Sequence, residues 1–327
     1  MTRRTAAVRC AAALLLSAAA SPHAAAQLDA PFRTRNLSPM ISVYGLPAWE
    51  RAERGTEVGV TSELANHYRL SSRGSETLVL DGETWRSSLF VRHAFDGPWS
   101  VGLEVPYYQQ SGGVLDDLID GWHSAFGLPD GGRNRRAEDQ LLFLAENGPG
   151  TYMMLDHRVR GLGDVQLSVG RELGGDGGLL LKASVKLPTG DEDMLAGSGA
   201  ADLAVTLTRA KAVSLGGMPA AFFWGVGAIA LGEPERIGFD AGDGTALGLL
   251  GGSLRPWPKL GFKAQLDVHG PLYDSRLEEL DDPGVQATIG GWWRISKRGV
   301  LEAAVNEDLS VSTSPDVVIH MALRWSL

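Results

Sequence analysis

Apolar and polar residues alternate through much of this sequence, in repeated segments of about ten residues. In the stretch 179–187 every second residue is leucine, alanine or valine, and lysine or serine fills most positions between them. The same alternation recurs at 56–69, 98–110, 163–173 and 259–270. A period of two places successive side chains on opposite faces of a strand. Soluble strands average about five or six residues, so these longer strands predict a transmembrane β-barrel rather than a β-sandwich.

About twelve strands are predicted, an even number, as bacterial outer-membrane barrels require. Their ranges are 56–69, 76–95, 98–110, 163–173, 178–189, 199–211, 217–231, 245–255, 259–270, 284–296, 299–306 and 315–327. The links alternate between short ones, such as 257–258 and 297–298, and long, mostly acidic ones, such as 190–197 and 273–283. Short periplasmic turns and long external loops are typical of these barrels. The predicted fold is all-β: an antiparallel barrel over 56–327 with one long extracellular loop that contains a helix.

The last strand carries the most specific signal. Its apolar residues alternate with polar or small ones up to the final leucine, and they are Ile319, Met321, Leu323, Trp325 and Leu327. This pattern resembles the C-terminal signature by which outer-membrane barrels are recognised by their insertion machinery, although phenylalanine is the usual last residue. We therefore predict that these residues are an assembly signal. Trp99 and Trp257 also fall at predicted periplasmic ends, as an interfacial aromatic girdle would.

The first 26 residues predict a signal peptide. Arg3, Arg4 and Arg9 form a basic region, an apolar stretch follows at 11–20, and the segment ends in the small residues Ala24-Ala25-Ala26. The apolar stretch is shorter than the roughly 20 residues that a transmembrane helix needs. Cleavage after Ala26 would export the chain, and the barrel would then lie in the cell outer membrane.

Cysteine content and charge exclude several functions. Cys10 is the single cysteine and lies in the predicted signal peptide, which excludes a disulfide framework, a cysteine zinc site and a cysteine nucleophile in the mature chain. Loss of Arg3, Arg4 and Arg9 changes the formal net charge from −9 to −12. An acidic chain without a basic cluster argues against nucleic acid as a partner. No cofactor is predicted.

Residues 27–55 show little alternation. They contain Asn36-Leu-Ser-Pro and Gly45-Leu-Pro, and proline and glycine argue against a central strand. The sequence predicts either a periplasmic extension or an inward-folded plug, and it leaves the choice between them open.

The connection 111–162 is too long for a simple link. One helical face within it is apolar, and we interpret this face as a candidate gate formed by Leu115, Leu118, Ile119, Trp122 and Phe126. Such a helix could plug the lumen, rim it or lie on lipid. The acids Asp116, Asp117 and Asp120 on the opposite face suit calcium, but solvation is the usual role of such a cluster, so no metal site is predicted. Two apolar pieces, at 141–144 and 152–155, flank Gly148-Pro-Gly150 and predict an external hairpin.

Several short motifs point to a family. These are Asn36-Leu-Ser-Pro, Gly45-Leu-Pro, LDDLIDGWHSAFGLPDGGR at 115–133, GLGD at 161–164, KLPTG at 186–190 and GSG at 197–199. Together they resemble an uncharacterised family of proteobacterial outer-membrane proteins, known only as a domain of unknown function, over essentially the whole mature chain. KLPTG followed by GSGAAD is also similar to the transporter-like proteins of the phenol-degradation (MetA-pathway) group, which implies an outer-membrane channel for hydrophobic compounds. Neither resemblance implies a catalytic residue.

The polar residues that alternate with the apolar ones along the predicted strands would line the lumen. The charged residues among them are Glu57, Glu63, Arg92, Glu104, Lys182, Lys186, Asp202, Lys263, Asp267, Arg294, Glu302 and Arg324. Their mixed signs fit either a hydrated pore or a closed interior held by salt bridges, and about twelve strands leave only a narrow lumen. The sequence leaves both possibilities open.

We interpret the chain as a channel or transporter-like protein for small, including hydrophobic, molecules. A structural or adhesive barrel without transport is the alternative. A lipid hydrolase would need a serine, a histidine and an acid at the outer rim. His123 and His157, the latter beside Asp156, are the histidines predicted there; without a nucleophile-elbow pattern, no enzyme activity is predicted. The expected partners are outer-membrane lipid and lipopolysaccharide, the barrel-insertion machinery and an unidentified small molecule.

Overall fold

The computed structural model describes residues 30–51, 53–113, 140–148, 152–174, 178–234, 236–310, 313–315 and 317–327. Its strands are β1 (Gly55–Arg73), β2 (Glu76–Ala94), β3 (Trp99–Ser111), β4 (Leu142–Asn147), β5 (Tyr152–Leu155), β6 (Val159–Leu162), β7 (Gln166–Leu173), β8 (Leu179–Lys186), β9 (Asp202–Leu215), β10 (Met218–Ala230), β11 (Gly244–Trp257), β12 (Leu260–His269), β13 (Gly284–Arg294), β14 (Gly299–Asp308) and β15 (Val317–Ser326). Two one-turn helices, α1 (Pro39–Ser42) and α2 (Glu278–Asp281), and a 3-10 turn at Glu192–Met194 accompany them.

Twelve of these strands close into an antiparallel barrel. The order around the wall is β1, β2, β3 and then β7 to β15, and the barrel closes where β1 pairs with β15. Val58 on β1, for example, lies opposite Trp325 on β15 and opposite Val91 on β2. The predicted fold class is therefore confirmed, because the alternating segments of the sequence are the strands of this wall.

Side-chain alternation sorts the two faces of the wall. Leu181 and Leu203 point outward and are exposed, whereas Lys182 and Asp202 point inward and are buried. Trp99, Trp257 and Trp325 lie exposed at the end of the barrel that carries the short turns. A lipid-facing apolar band bordered by aromatic residues is the arrangement expected of an outer-membrane barrel.

The short turns are determined by the residues within them. Between β9 and β10, Gly216 and Gly217 have φ angles of 57° and 84°, as a two-residue turn between antiparallel strands requires. The opposite end carries the long links, with one exception at Gly74 and Ser75. There β1 and β2 continue as 19-residue strands beyond the rest of the wall, and the hairpin of β4 and β5 pairs with the outer part of β2. The sequence predicted the β4–β5 hairpin and the extent of β2, at 76–95, but it ended β1 at 69 rather than at Arg73.

Residues 30–51, which we call the luminal segment, run up and then down the inside of the barrel. The backbone of Phe32 bonds to Gln265 within β12, and Asn36 reaches His269 at the outer end of that strand. Helix α1 forms the tip, and the chain then descends past Asp202 and Lys182. It reaches the periplasmic end just before β1 begins.

An apolar cluster fills the outer end of the lumen and continues down the inner face of β9–β11 as far as Phe223. It joins Met40, Ile41 and Tyr44 of the luminal segment to apolar side chains of β2, β4 and β5 and of the external loops. The loop residues include Phe239, Leu272, Tyr273, Leu277 and Leu280. The tip of the luminal segment is therefore packed beneath the external loops. Among the helices of the described ranges, none has the length and apolar character needed to cross a membrane.

Candidate functional site

The charged residues predicted to line the lumen lie on the inner face of the wall. Ten of the twelve are buried, namely Glu57, Glu63, Arg92, Glu104, Lys182, Lys186, Asp202, Lys263, Glu302 and Arg324. Asp267 and Arg294 are partly exposed. Asp267 accepts a hydrogen bond from Gln265 at 2.8 Å, and the guanidinium of Arg294 lies 5.8 Å from the ring centre of Trp292.

Glu104 on β3 is the centre of one ionic cluster. Its Oε1 accepts a hydrogen bond from Arg86 on β2 at 2.8 Å, and its Oε2 accepts one at 2.8 Å from each of Arg33 and Arg35 of the luminal segment. Arg86 also donates to Glu63 at 3.3 Å. Buried charges are tolerated only when paired and hydrogen-bonded, and this cluster meets that condition on both the wall side and the segment side.

Glu50 links the descending arm of the luminal segment to the wall. One of its carboxylate oxygens lies 3.2 Å from the ammonium of Lys182 and 3.1 Å from Arg33. Burial alone would raise the pKa of Glu50, but the cations Lys182 and Arg33 outweigh it and lower the pKa to about 2. Glu50 therefore stays ionised inside the barrel at neutral pH.

A second ionic cluster closes the periplasmic end. Arg324 on β15 pairs with Glu57 at 2.8 Å and with Glu302 at 3.5 Å, and Lys263 also pairs with Glu302. Glu53, just before β1, adds contacts with Arg92 at 2.9 Å and Arg324 at 3.7 Å. Apart from Glu53, every partner in this cluster belongs to a barrel strand.

The Asn36-Leu-Ser-Pro motif shapes the turn at the tip of the luminal segment. The Asn36 side chain donates to the Thr313 carbonyl at 3.0 Å and to the Ser314 hydroxyl at 2.9 Å, and it accepts from the Ser38 backbone at 3.0 Å. Pro39 then begins α1, a position where its missing N–H costs nothing. The motif thus fixes the ascending arm to the loop before β15.

The Gly45-Leu-Pro motif allows the descending arm to touch the wall. The Gly45 N–H donates to Asp202 at 2.7 Å, and a Cβ at this position would lie 2.7 Å from the Cβ of Lys186. Any larger residue would push the segment away from the wall. Close approach of two backbones therefore accounts for the glycine.

Three further motifs meet around one carboxylate. The GLGD motif supplies Asp164, and the KLPTG motif supplies Lys186, whose ammonium lies 2.6 Å from Asp164. Asp164 also accepts from the backbone N–H groups of Thr189 at 2.9 Å, Gly190 at 2.7 Å and Ser198 of the GSG motif at 3.3 Å. Lys186 in turn lies 3.2 Å from Asp202 and donates to the Val43 carbonyl of the luminal segment at 3.1 Å.

Sequence reasoning missed the partners of the lumen-lining residues. Arg33, Arg35, Glu50 and Arg86 complete the ionic clusters, and Asp164 centres the motif cluster. Arg86 lies on the polar parity of a predicted strand, which is a signal that could have identified it. Asp164 lies in GLGD and on the polar parity of the predicted strand 163–173, but it was not singled out as a lumen-lining residue. The three residues of the luminal segment belong to a stretch without periodicity.

The remaining predicted residues are distributed as follows. The candidate gate residues Leu115, Leu118, Ile119, Trp122 and Phe126 lie outside the described residues, as do Asp116, Asp117, Asp120 and His123. On β15, Met321, Leu323 and Trp325 are exposed on the outer face, and Ile319 is half-buried there. Leu327, which follows the strand, is also exposed. His157 is exposed and lies 3.1 Å from Asp156. Within the described ranges, no group of three histidine or acidic side chains is arranged to hold a metal ion.

Comparisons with known proteins identify a family for this chain and solved structures with a similar fold. A family model described as "Protein of unknown function (DUF3187)" matches residues 8–327. No curated protein matches the chain. The COG4313 outer membrane channel from Pseudomonas putida F1 superimposes with a TM-score of 0.55 at 12% identity, over 84% of this chain and 96% of that chain. This likeness shows that the two proteins share the fold of an outer-membrane barrel.

Two further solved structures match more loosely. The NanC porin gives a TM-score of 0.46 at 7% identity, over 84% of this chain and 100% of that chain. The Ralstonia pickettii toluene transporter TbuX gives 0.39 at 8% identity, over 91% of this chain and 95% of that chain. The family match confirms the resemblance to an uncharacterised family of outer-membrane proteins.

Proposed function

Since the chain belongs to the DUF3187 family of proteins of unknown function, we propose, on the strength of its lumen, that it is an outer-membrane channel for small molecules. In the proposal the luminal segment closes the channel and can leave it. The barrel fold supports a location in the outer membrane. The proposed export signal is residues 1–26, and the proposed partners are outer-membrane lipid, lipopolysaccharide and the insertion machinery.

The observation that carries the proposal is that wall charges are paired with one another as well as with the luminal segment. When the luminal segment leaves and takes Arg33 and Arg35 with it, Glu104 keeps its ion pair with Arg86. Lys186 likewise keeps Asp164 and its contact with Asp202. Because a buried charge without a partner is very costly, a wall that depended on the segment for pairing could not release it. This wall retains most of its pairs, with Lys182 as the exception because its carboxylate partner is Glu50 of the segment. The lumen left behind would be charged on one side and apolar on the side of β9–β11, where Phe223 and Leu249 lie.

The path of the luminal segment sets the direction in which it can move. Ala30, the first described residue of the segment, lines the same space as Glu57 and Arg324 at the periplasmic end. Both arms of the segment also leave the lumen at this end. Withdrawal into the periplasm therefore requires no threading of the chain past the external loops.

The luminal segment is held by two kinds of contact. Met40, Ile41 and Val43 at its tip are buried, and burial of such a side chain contributes about 1.5–3 kcal/mol. The polar contacts of the two arms exchange for contacts with water when the lumen hydrates, so each contributes less, about 0.5–1.5 kcal/mol for a neutral hydrogen bond. Both arms also bury apolar side chains, among them Phe32, Leu37 and Trp49. The buried apolar side chains of the whole segment are thus the main obstacle to opening. The candidate gate helix of the 111–162 loop is proposed as a second closure on the same side.

Deletion of residues 27–51 tests the proposal. The purified variant should keep the compact, heat-modifiable form of a folded barrel and show larger ohmic steps in a planar bilayer than the full-length protein. A matched variant with a glycine/serine stretch of the same length should conduct nearly as well as the deletion, since the segment closes the lumen through specific contacts. A folded deletion variant without conductance would refute the channel.

A structural barrel without transport is the second candidate. The filled lumen and the apolar cluster over its outer end are the observations that favour it. Silence of both variants in the bilayer, with folding intact, would support this candidate.

A further inference from the structure

One strand of the barrel wall is interrupted. β6 and β7 lie end to end along β3: β6 pairs with Tyr107–Gln110 and β7 pairs with Trp99–Glu104. Between them, residues 163–165 leave the ladder opposite Val105 and Pro106. A single hydrogen bond, from the Gly163 N–H to the Pro106 carbonyl at 2.8 Å, crosses this break.

The break lies at the depth of the membrane. Leu162 and Tyr107 are exposed on the outer face above it, and Leu167 and Leu103 are exposed below it. The adjoining strands β7 and β8 have eight residues each, the fewest of the twelve barrel strands. Eight residues span about 26 Å, or about 20 Å of height at a tilt of about 40°, which is less than the roughly 25 Å of an apolar band. The connection 187–201 therefore begins beside the break, at Leu187, and rises from there to the exposed acids Asp191 and Asp193.

Irregular backbone at this depth needs internal hydrogen-bond partners. Asp164 supplies them, because its carboxylate accepts from Thr189, Gly190 and Ser198 of the connection and pairs with Lys186. We call Asp164 and these four partners the Asp164 latch. The connection is also bonded to the interrupted strand through its backbone, from the Asp164 N–H to the Ala196 carbonyl at 3.2 Å and from the Leu187 N–H to the Val165 carbonyl at 2.9 Å. The Asp164 carboxylate and the Lys186 ammonium are the charged groups in this set of contacts.

A cavity lies directly behind the break. Pro106, Tyr108 and Asp164 form its wall side, and Ser42 and Leu46 of the luminal segment form its inner side. The hydroxyl of Ser42 is buried there without a hydrogen-bond partner. The outward end of the lumen is covered by the apolar cluster, whereas this cavity is separated from lipid by the Asp164 latch and the interrupted strand.

We infer that the break is a lateral portal between the lumen and the outer leaflet, for small apolar or amphipathic molecules that partition into lipid. The inference rests on the proposed channel function and assigns its substrate class. Lys186 couples the portal to the channel, because its ammonium contacts both Asp164 and the Val43 carbonyl of the luminal segment. Departure of the segment removes one of these contacts and loosens the latch. Solutes then pass through the wall beneath the covered outer end.

Thiol labelling from the lipid phase tests the portal, because the predicted mature chain has no cysteine. A Ser42→Cys variant places a thiol in the cavity. In proteoliposomes it is challenged with pyrene maleimide dissolved in the lipid, or with a sulfonated maleimide in the buffer. Asp164→Asn is then added to open the latch, and Asp193→Asn is the matched control, since Asp193 is exposed on the same connection.

Asp164→Asn should speed lipid-phase labelling by about tenfold or more, since loss of a charged hydrogen bond shifts an opening equilibrium by that factor. Asp193→Asn should have no effect, and labelling from the buffer should stay slow. Ser198→Ala, which removes only a hydroxyl that accepts from Lys186 at 2.6 Å, should give a smaller increase and decides the matter if Asp164→Asn does not fold.

An unchanged rate with the lipid reagent, or equal acceleration with both reagents, would overturn the portal. This outcome is distinct from failure of the proposed function. If the variant lacking residues 27–51 conducts but Asp164→Asn does not change the rate of lipid-phase labelling, the protein is a channel without a lateral portal. If the deletion does not conduct, the channel itself is refuted.

Discussion

Glu104 on β3 is hydrogen-bonded to Arg86 on the neighbouring strand β2 at 2.8 Å, and this wall pair persists without the luminal segment. Arg33 and Arg35 of the segment approach the other oxygen of the same carboxylate, also at 2.8 Å. The Glu104 carboxylate thus forms ion pairs both within the barrel wall and with the luminal segment that fills the barrel. Substitutions on the two sides should have different consequences.

Arg86→Gln should destabilise the barrel, by about 3–5 kcal/mol in the free energy of unfolding, because Glu104 and Glu63 lose a buried partner. Arg35→Gln should destabilise the barrel less, because Glu104 keeps its pairs with Arg33 and Arg86, and it should raise the frequency of channel opening instead. Urea titration of the heat-modifiable form measures the first effect, and bilayer recording measures the second. Equal destabilisation by both variants would show that the segment is part of the barrel core.

Gly45→Ala should loosen the luminal segment, because the new Cβ would meet the Cβ of Lys186 at 2.7 Å. Overpacking of this kind costs about 1–3 kcal/mol, enough to raise the open population at least fivefold. Gly97→Ala is the matched control, since a Cβ there would meet nothing within 4 Å. Protease digestion from the periplasmic side should cut the segment faster in Gly45→Ala only. Similar digestion rates would mean that Gly45 does not determine docking.

Acidification should release the descending arm through Glu50. The pKa of Glu50 is lowered from 4.5 to about 2 in the folded protein, where Lys182 and Arg33 outweigh the effect of burial. A lowered pKa stabilises the docked arm at pH above 4.5, and this stabilisation is lost as the pH falls towards 2. Channel opening should increase over that range, and Glu50→Gln should open more at neutral pH with a smaller acid response. If the acid response of channel opening is the same in Glu50→Gln, then carboxylates other than Glu50 cause that response.

The last strand should be required for assembly. Trp325→Asp places a charge on the lipid-facing side, which costs about 1 kcal/mol near the interface, and it also alters the predicted recognition signal. The variant should fail to insert and should be degraded. Ser326→Asp, which changes the neighbouring residue on the inner face, should insert normally. Equal yields in the outer-membrane fraction would show that the C-terminal alternation is not read as a signal.

The barrel was predictable because its determinants are local. Alternation in 179–187 identifies both the strand and its inward face, and Gly216 with Gly217 marks the turn between β9 and β10. Each inference needs only neighbouring residues. The second strand was predicted at 76–95, close to its observed bounds, but the first was predicted to end at 69. β1 continues to Arg73 because it pairs with β2 there, although Ser71, Ser72 and Arg73 show no apolar alternation.

The course of the luminal segment could not be predicted in the same way. Its contacts are remote in sequence, as between Asn36 and Ser314, which are 278 positions apart. Its polar residues have no amphipathic period, because it is surrounded by the wall: Arg35 pairs with β3, Thr34 with β13 and Asn36 with the loop before β15. The interruption between β6 and β7 was also hidden, since the alternation continues through Asp164, whose inward position suits a strand as well as it suits a latch.

The central claim, that the luminal segment closes the lumen and can leave it, is tested most directly by a reversible cross-link. Thr34 of the segment and Thr288 of β13 approach within 3.4 Å through their hydroxyls, and the predicted mature chain contains no other thiol. In Thr34→Cys/Thr288→Cys, bilayer recordings should show no openings while the disulfide is intact and openings after reduction, whereas Thr34→Cys alone should open in both conditions. Currents that are the same before and after reduction would contradict the account.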